Sequence, residues 1–129
     1  MARKVKKELD APERFEEALR EELSVSADFD LPLSALALRA GESFGPEAVQ
    51  RALEALRVAD LICQPDPAEM LVVLPNTKAQ DARVVEERLR KALPEAAFGV
   101  AVRDRGDKVE TLLKRARGAV EEPGPSAGS

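Results

Sequence analysis

Arg57-Val-Ala-Asp60-Leu-Ile-Cys-Gln64-Pro65-Asp66-Pro67-Ala68-Glu69-Met70-Leu-Val-Val-Leu-Pro75-Asn-Thr77 is the stretch that decides the fold. Asp60 to Gln64 and Met70 to Leu74 are apolar runs of strand length. Pro65-Asp66-Pro67-Ala68 between them is dense in turn formers, which predicts an antiparallel hairpin with any functional residues concentrated at its tip.

Upstream, Pro46 stands at a first-turn position before the stripe Val49, Ala52, Leu53 and Leu56, which predicts a helix ending near Arg57. Before the loop from Gly41 to Gly45, Leu31-Pro-Leu-Ser-Ala-Leu-Ala-Leu38 is apolar almost throughout and reads as a central strand. Earlier still, Asp10 followed by Pro12 marks a helix start, and Phe15, Leu19 and Leu23 form its stripe, with Ser24 to Asp30 expected to be a connection. Downstream, Thr77 with Gln80 has capping-box spacing before a helix carrying Ala82, Val85, Leu89 and Ala92, stopped by Pro94. Ala97 to Val102 is a further strand, and Asp107 with Glu110 repeats the capping-box spacing before Val109, Leu112, Leu113, Ala116 and Val120. The order αβαββαβα predicts an α+β domain, a mostly antiparallel central sheet with helices packed on it, of the ferredoxin-like or palm-like kind. Residues 1–10 read as a charged, flexible lead-in, 11–120 as the domain and 121–129 as a disordered tail.

The chain of 129 residues is 44% hydrophobic and 34% charged, which suits one packed core and no membrane span. A net charge of -4 and an aromatic content of 3% argue against a general nucleic-acid binder, because such proteins need cationic surface and stacking platforms. The absence of histidine removes imidazole bases and most zinc sites. Cys63, the single cysteine, lies in an apolar run and is expected to be an inert core thiol in a reducing cytoplasm. The basic start lacks a following apolar segment, so no secretory leader is expected and the location is expected to be cytoplasmic.

The quoted stretch resembles the centre of GGDEF domains, the diguanylate cyclase family, in which an RxxD motif precedes the signature turn by five residues. Here the motif is Arg57-Val-Ala-Asp60 and the intervening residues are Leu61 to Pro65. Helix Glu13 to Leu23, strand Pro32 to Leu38, strand Phe98 to Ala101 and helix Leu112 to Ala119 extend the resemblance over about residues 13–120. It implies a cyclase-type fold and a place in bacterial signalling. In that family the glycine pair of the turn lets the backbone approach the nucleotide, and carboxylates at the turn and after the first strand hold magnesium.

This chain departs at those places. Its signature turn is Asp66-Pro67-Ala68-Glu69-Met70, which replaces both glycines and the first acidic residue, and Arg39 stands where the strand-end aspartate belongs. The segment Ala40 to Pro46 is short and lacks the family's Asn-Asp guanine-recognition pair. Glycine tolerates positive φ and leaves room for a ligand, whereas Asp66 and Pro67 add negative charge and a rigid ring. Two-metal phosphoryl transfer requires several converging hard oxygen ligands, and Glu69 alone survives at the expected positions. The expectation is therefore no catalytic residues, no metal and no resident cofactor.

The resemblance assigns Arg57 and Asp60 to the site that binds cyclic di-GMP as product inhibitor, with a second arginine supplied by Arg83, Arg88 or Arg90. The competing description is an ion pair near a helix end, worth a fraction of a kcal/mol. Asp104, Asp107 and Glu110 have metal-loop chemistry but also helix-start spacing. Arg3, Lys4, Lys6 and Lys7 suit an acidic partner, anionic lipid or RNA, or simply solvation. The favoured function is a catalytically inactive, GGDEF-like protein-interaction module, with cyclic di-GMP as a candidate modulator at Arg57 and Asp60. The alternative is an active diguanylate cyclase or other nucleotidyl transferase with unconventional metal ligands.

Overall fold

The structure, a computed structural model, describes residues 7–121. Residues 1–6 of the expected lead-in and 122–129 of the expected disordered tail lie outside these residues, whereas Glu121, expected in the tail, donates its N–H to Phe98 O at 3.2 Å. The elements are α1 (Pro12–Phe29), β1 (Leu33–Arg39), α2 (Pro46–Glu54), β2 (Leu61–Asp66), β3 (Glu69–Pro75), α3 (Ala79–Ala92), β4 (Ala97–Val102) and α4 (Val109–Gly118). The strands form one sheet in the order β2-β3-β1-β4, and every pairing is antiparallel. The α+β class and the αβαββαβα order are as the sequence predicts. No helix among the described residues is long and apolar enough to cross a membrane.

Helices cover both faces of the sheet, which explains the apolar run of β1. Leu36 and Leu38 point into a core shared with α2 and α3, including Ala52, Leu53, Val85 and Leu89. Leu33, Ala35 and Ala37 point the other way, into a core with Phe15 and Leu19 of α1 and Leu112 and Ala116 of α4. A strand buried on both faces has no reason to alternate apolar with polar. The small side chains lie on the α4 side, where Ala37 is in register with Gly99, and they let that helix approach the sheet closely.

Several boundaries differ from the sequence expectations. Helix α1 runs through the expected connection to Phe29 and ends on Asp30 in the left-handed region, with φ 52°. Ser26 continues the stripe of Phe15, Leu19 and Leu23, is buried, and donates its hydroxyl to the Leu31 carbonyl. Asp10 does not cap α1, because the cap position is Ala11. Its N–H donates to the Ile62 carbonyl at 2.7 Å, and its carboxylate accepts the Ile62 N–H at 3.0 Å, so it pairs with the open edge of β2. Helix α2 stops at Glu54, short of Arg57.

Neither capping box forms as spaced. The cap of α3 is Lys78, and the Thr77 hydroxyl instead donates to Pro75 O at 2.9 Å. At α4 the cap is Lys108, whose N–H donates to Thr111 Oγ1 at 2.7 Å. The hairpin turn is tighter than expected, since Asp66 pairs with Glu69 and leaves Pro67 and Ala68 to make the corner. A register irregularity between Cys63 and Asp66 accompanies it. Pro65 lacks the N–H that the ladder would use there, which accounts for the break. Cys63 is buried, and burial pushes its thiol up to about 12, so it is a neutral core group at physiological pH.

Candidate functional site

The hairpin tip and the end of β1 lie together because β1 and β3 run antiparallel, with Arg39 opposite Glu69. Asp66 accepts the Ala68 N–H at 2.9 Å, folding its carboxylate back onto the turn. The β1–α2 loop is stitched to the same turn. Ala40 N–H donates to Ala68 O at 2.8 Å and Phe44 N–H to Pro67 O at 2.7 Å. The Gln64 side-chain amide donates to Phe44 O and Pro67 O, each at 3.2 Å. Phe44 itself is buried in the α2–α3 core. The space between the turn and this loop is thus closed by backbone contacts and an aromatic ring.

Glu69 is held from the far side by α4. Arg117 Nε and Nη2 donate to its two carboxylate oxygens at 2.7 and 2.9 Å, a planar fork of the kind guanidinium makes. Glu69 raises the Arg117 pKa by accepting these bonds. Arg117 is 48 residues from Glu69 in sequence, and no local pattern announces the pair. Among the described residues there is no cluster of three or more acidic, cysteine or histidine side chains able to hold a metal. With Asp66 and Glu69 engaged and Arg39 at the strand end, the residues present do not fit a pair of magnesium ions, which need several free hard oxygens.

Arg57 and Asp60 are brought together, but in a turn between α2 and β2 rather than on a helix, with Asp60 N–H donating to Arg57 O at 3.1 Å. Asp60 Oδ1 accepts Arg57 Nη2 at 2.7 Å and Nε at 3.1 Å, and Oδ2 accepts the Arg57 backbone N–H at 2.7 Å. The Asp60 side chain is 0% exposed and that of Arg57 51% exposed. Asp60, through its hydrogen bonds, raises the Arg57 pKa. Arg57 Nη2 also donates to Thr77 Oγ1 at 2.9 Å, which gives the displaced Thr77 its function and joins the turn to the β3–α3 corner. Lys7 Nζ donates to Asp60 O at 2.6 Å and Val58 O at 3.2 Å. Of the candidate second arginines, Arg88 reaches the end of α2, with Nη1 at 3.2 Å from Ala55 O, the C-cap of that helix. Arg90 is bound to Glu86 at 2.7 Å and lies over the Phe98 ring at 4.8 Å, and Arg83 is exposed.

The Asp104–Glu110 region is organised by Arg115, which reaches Asp107 with Nη1 at 2.9 Å and Nη2 at 3.0 Å. The bond from Arg115 holds the Asp107 carboxyl below the usual carboxylate range. A depressed folded pKa contributes stability that is present above the unfolded value, about 3.9, and lost as pH falls through the folded one. Replacing Asp107 with Asn is therefore expected to flatten the acid limb of the stability curve below about pH 4 and to leave its neutral-to-alkaline slope unchanged, as read by urea unfolding across pH. A groove of about 570 Å³ is lined by Ala40 and Phe44 of the β1–α2 loop together with Ala48, Arg51, Leu93 and Ala96 among others.

The fold so assembled is that of GGDEF domains. The structure of the diguanylate cyclase SiaD from Pseudomonas aeruginosa, solved with its activator SiaC, matches with a TM-score of 0.78 at 24% identity. That match covers 86% of this chain and 53% of the cyclase, so the chain spans about half of that protein. The active GGEEF domain of a diguanylate cyclase from Vibrio cholerae matches at 0.78 and 15% identity over 88% of this chain and 89% of that one. The GGDEF domain of DgcB from Caulobacter crescentus, solved with cyclic di-GMP, matches at 0.74 and 12% identity over 92% and 89%. No protein-family profile and no curated protein matches the sequence. At these identities the likeness establishes a GGDEF-like fold.

Proposed function

We propose that this chain is a catalytically inactive GGDEF-like domain that works by binding another protein in a bacterial cytoplasmic signalling system. The observation that carries this is the closed hairpin tip: Ala40 and Phe44 hydrogen-bonded to the turn, with Arg39 and the Arg117–Glu69 pair beside it. A triphosphate with its magnesium needs converging carboxylates there, and Glu69 is held by Arg117 while a cation, Arg39, stands opposite it at the strand end. A diguanylate cyclase that this chain matches over about half of that cyclase's length was solved in complex with an activator protein, which supports a binding role. Incubation with GTP and magnesium or manganese, followed by chromatography of the nucleotides, is expected to return GTP unchanged. Accumulation of cyclic di-GMP or any other guanosine product would establish the alternative, a cyclase with unconventional metal ligands.

A second reading has its own support. Arg57 is half exposed, Arg88 donates to Ala55 O two residues upstream of it, and a neighbour of this fold was solved with cyclic di-GMP. The buried Asp60 would have to leave Arg57 before pairing with a base edge, so in this reading the arginines take the phosphates. Calorimetry with cyclic di-GMP on the wild type and on Arg88→Ala decides it: binding that the variant loses supports the modulator, and absence of heat in the wild type removes it.

A further inference from the structure

The C-terminal half of α1 carries two exposed apolar side chains among carboxylates, and we infer that this face docks a basic, amphipathic segment of a partner protein. Val25 is 42% exposed and Phe29 is 71% exposed. They stand four residues apart in one continuous helix, so their side chains are neighbours on its surface. The buried stripe of that helix is Phe15, Leu19, Leu23 and Ser26, and the pair lies off it to one side. The other two exposed large hydrophobics among the described residues, Val58 and Val84, belong to a turn and to α3. Single apolar residues on a surface are commonplace, whereas an adjoining pair that includes an aromatic ring has the make-up of an interface centre.

The charge around the pair selects the partner. Glu21 and Glu22 stand four and three residues before Val25, Asp28 stands three after it, and Asp30 follows Phe29 as the cap of the helix. Glu21, Asp28 and Asp30 are exposed and Glu22 is partly so. Among the described residues none of the four is in an ion pair. No cation occurs in the sequence from Glu21 to Asp30, and the last turn of α1 has no basic residue. The C-terminal end of a helix is the negative end of its dipole, where a cation stabilises and a carboxylate is unfavourable. Asp30 suits the left-handed cap it occupies, but Asp28 takes no such position. A cationic partner meets these carboxylates and the helix carbonyls together, which gives the arrangement a use that the fold does not. Arg20 and Lys108 lie on the other side of the buried stripe, in a groove shared with Ser24, Ala27, Asp107 and Glu110. Arg14 is about two turns before Glu21, and Arg103 donates its N–H to Leu33 O where β1 begins. The same negative charge repels nucleic acid and anionic lipid. The inference rests on the binding role proposed above and specifies its surface and the sign of its partner.

The probe is a fluorescein-labelled helical peptide of Lys with Leu at positions three and four apart, titrated into the isotopically labelled full chain. Amide resonances of Glu21, Val25 and Phe29 are expected to move saturably, and a Glu-for-Lys peptide is expected to stay free. The double variant Val25→Ser with Phe29→Ser, both at exposed positions, is expected to weaken binding about tenfold or more while keeping native spectral dispersion. Val84→Ser, on α3, is the control and is expected to leave the affinity unchanged. Asp28→Lys is expected to weaken binding and to raise Tm, because it puts a cation at the negative end of the helix. No saturable binding of the Lys peptide, unchanged affinity in the double variant, or shifts centred on another face would each overturn the proposal. A lower Tm in Asp28→Lys would do the same, by showing that the carboxylate serves the fold. Self-association through α1, read by sedimentation, would make this face a contact between copies and overturn the assignment of a basic partner. Turnover of GTP by the same samples would overturn the inactive-domain reading and leave this surface standing.

Discussion

Replacing Gly99 with alanine is expected to destabilise the domain by about 3 kcal/mol, a fall in Tm of about 10–20 °C. A Cβ built at Gly99 would run into the Ala116 carbonyl oxygen and stand 2.5 Å from the Val120 nitrogen and 2.7 Å from the Ala119 carbonyl carbon. All three are backbone atoms of α4 and its end, so no side-chain rotation relieves the overlap and the helix itself must move off the sheet. Displacing α4 loosens the packing of Leu112 and Ala116 on Ala35 and Ala37 and pulls Arg117 from Glu69. Gly118, with open space where its Cβ would lie, is the control. Alanine there is expected to be neutral or to stabilise by about 0.5 kcal/mol, because it lowers the entropy of the unfolded chain. Thermal unfolding of both variants measures the contrast.

Arg57→Ala is expected to cost about 2–3 kcal/mol, more than Asp60→Asn at about 1–2 kcal/mol. The asymmetry follows from exposure. Without Arg57, the fully buried Asp60 carboxylate keeps only the backbone N–H at position 57 as a partner from that pair. Without the Asp60 charge, Arg57 still has half its surface in water and retains Thr77. These figures lie below those for a fully buried pair because water screens the arginine. Denaturant unfolding of the single variants and the double mutant yields the coupling directly. Equal, negligible losses would show that the pair does not clamp the α2–β2 turn to the β3–α3 corner.

The elements were legible where hydrophobic periodicity was strong. The hairpin, β1 and β4 follow from apolar runs bounded by turn formers, and the stripes of α3 and α4 from spacings of three and four. What escaped the sequence depends on contacts between distant segments. Ser24 to Asp30 looks like a loop, yet Ser26 has a buried partner in the Leu31 carbonyl, and one polar residue on an apolar stripe then continues the helix. Thr77 and Asp107 have the chemistry of helix caps, but arginines from elsewhere compete for their oxygens: Arg57 for Thr77 and Arg115 for Asp107. The same holds at the candidate site. The replaced turn and Arg39 are visible in the sequence, whereas the closure of the β1–α2 loop onto the turn and the Arg117 fork on Glu69 are products of the tertiary fold. RxxD shows most clearly how little a motif of two fixed residues specifies, since spacing alone does not reveal that Asp60 faces inward.

The central claim is that no nucleotide seats at the hairpin tip. Titrating GTP with excess magnesium into the isotopically labelled domain and following the amide resonances tests it most directly. The account predicts that Arg39, Ala40, Phe44 and residues 66–70 keep their positions up to millimolar nucleotide. Saturable shifts of those resonances, with Ala40 and Phe44 released from the turn, would contradict it.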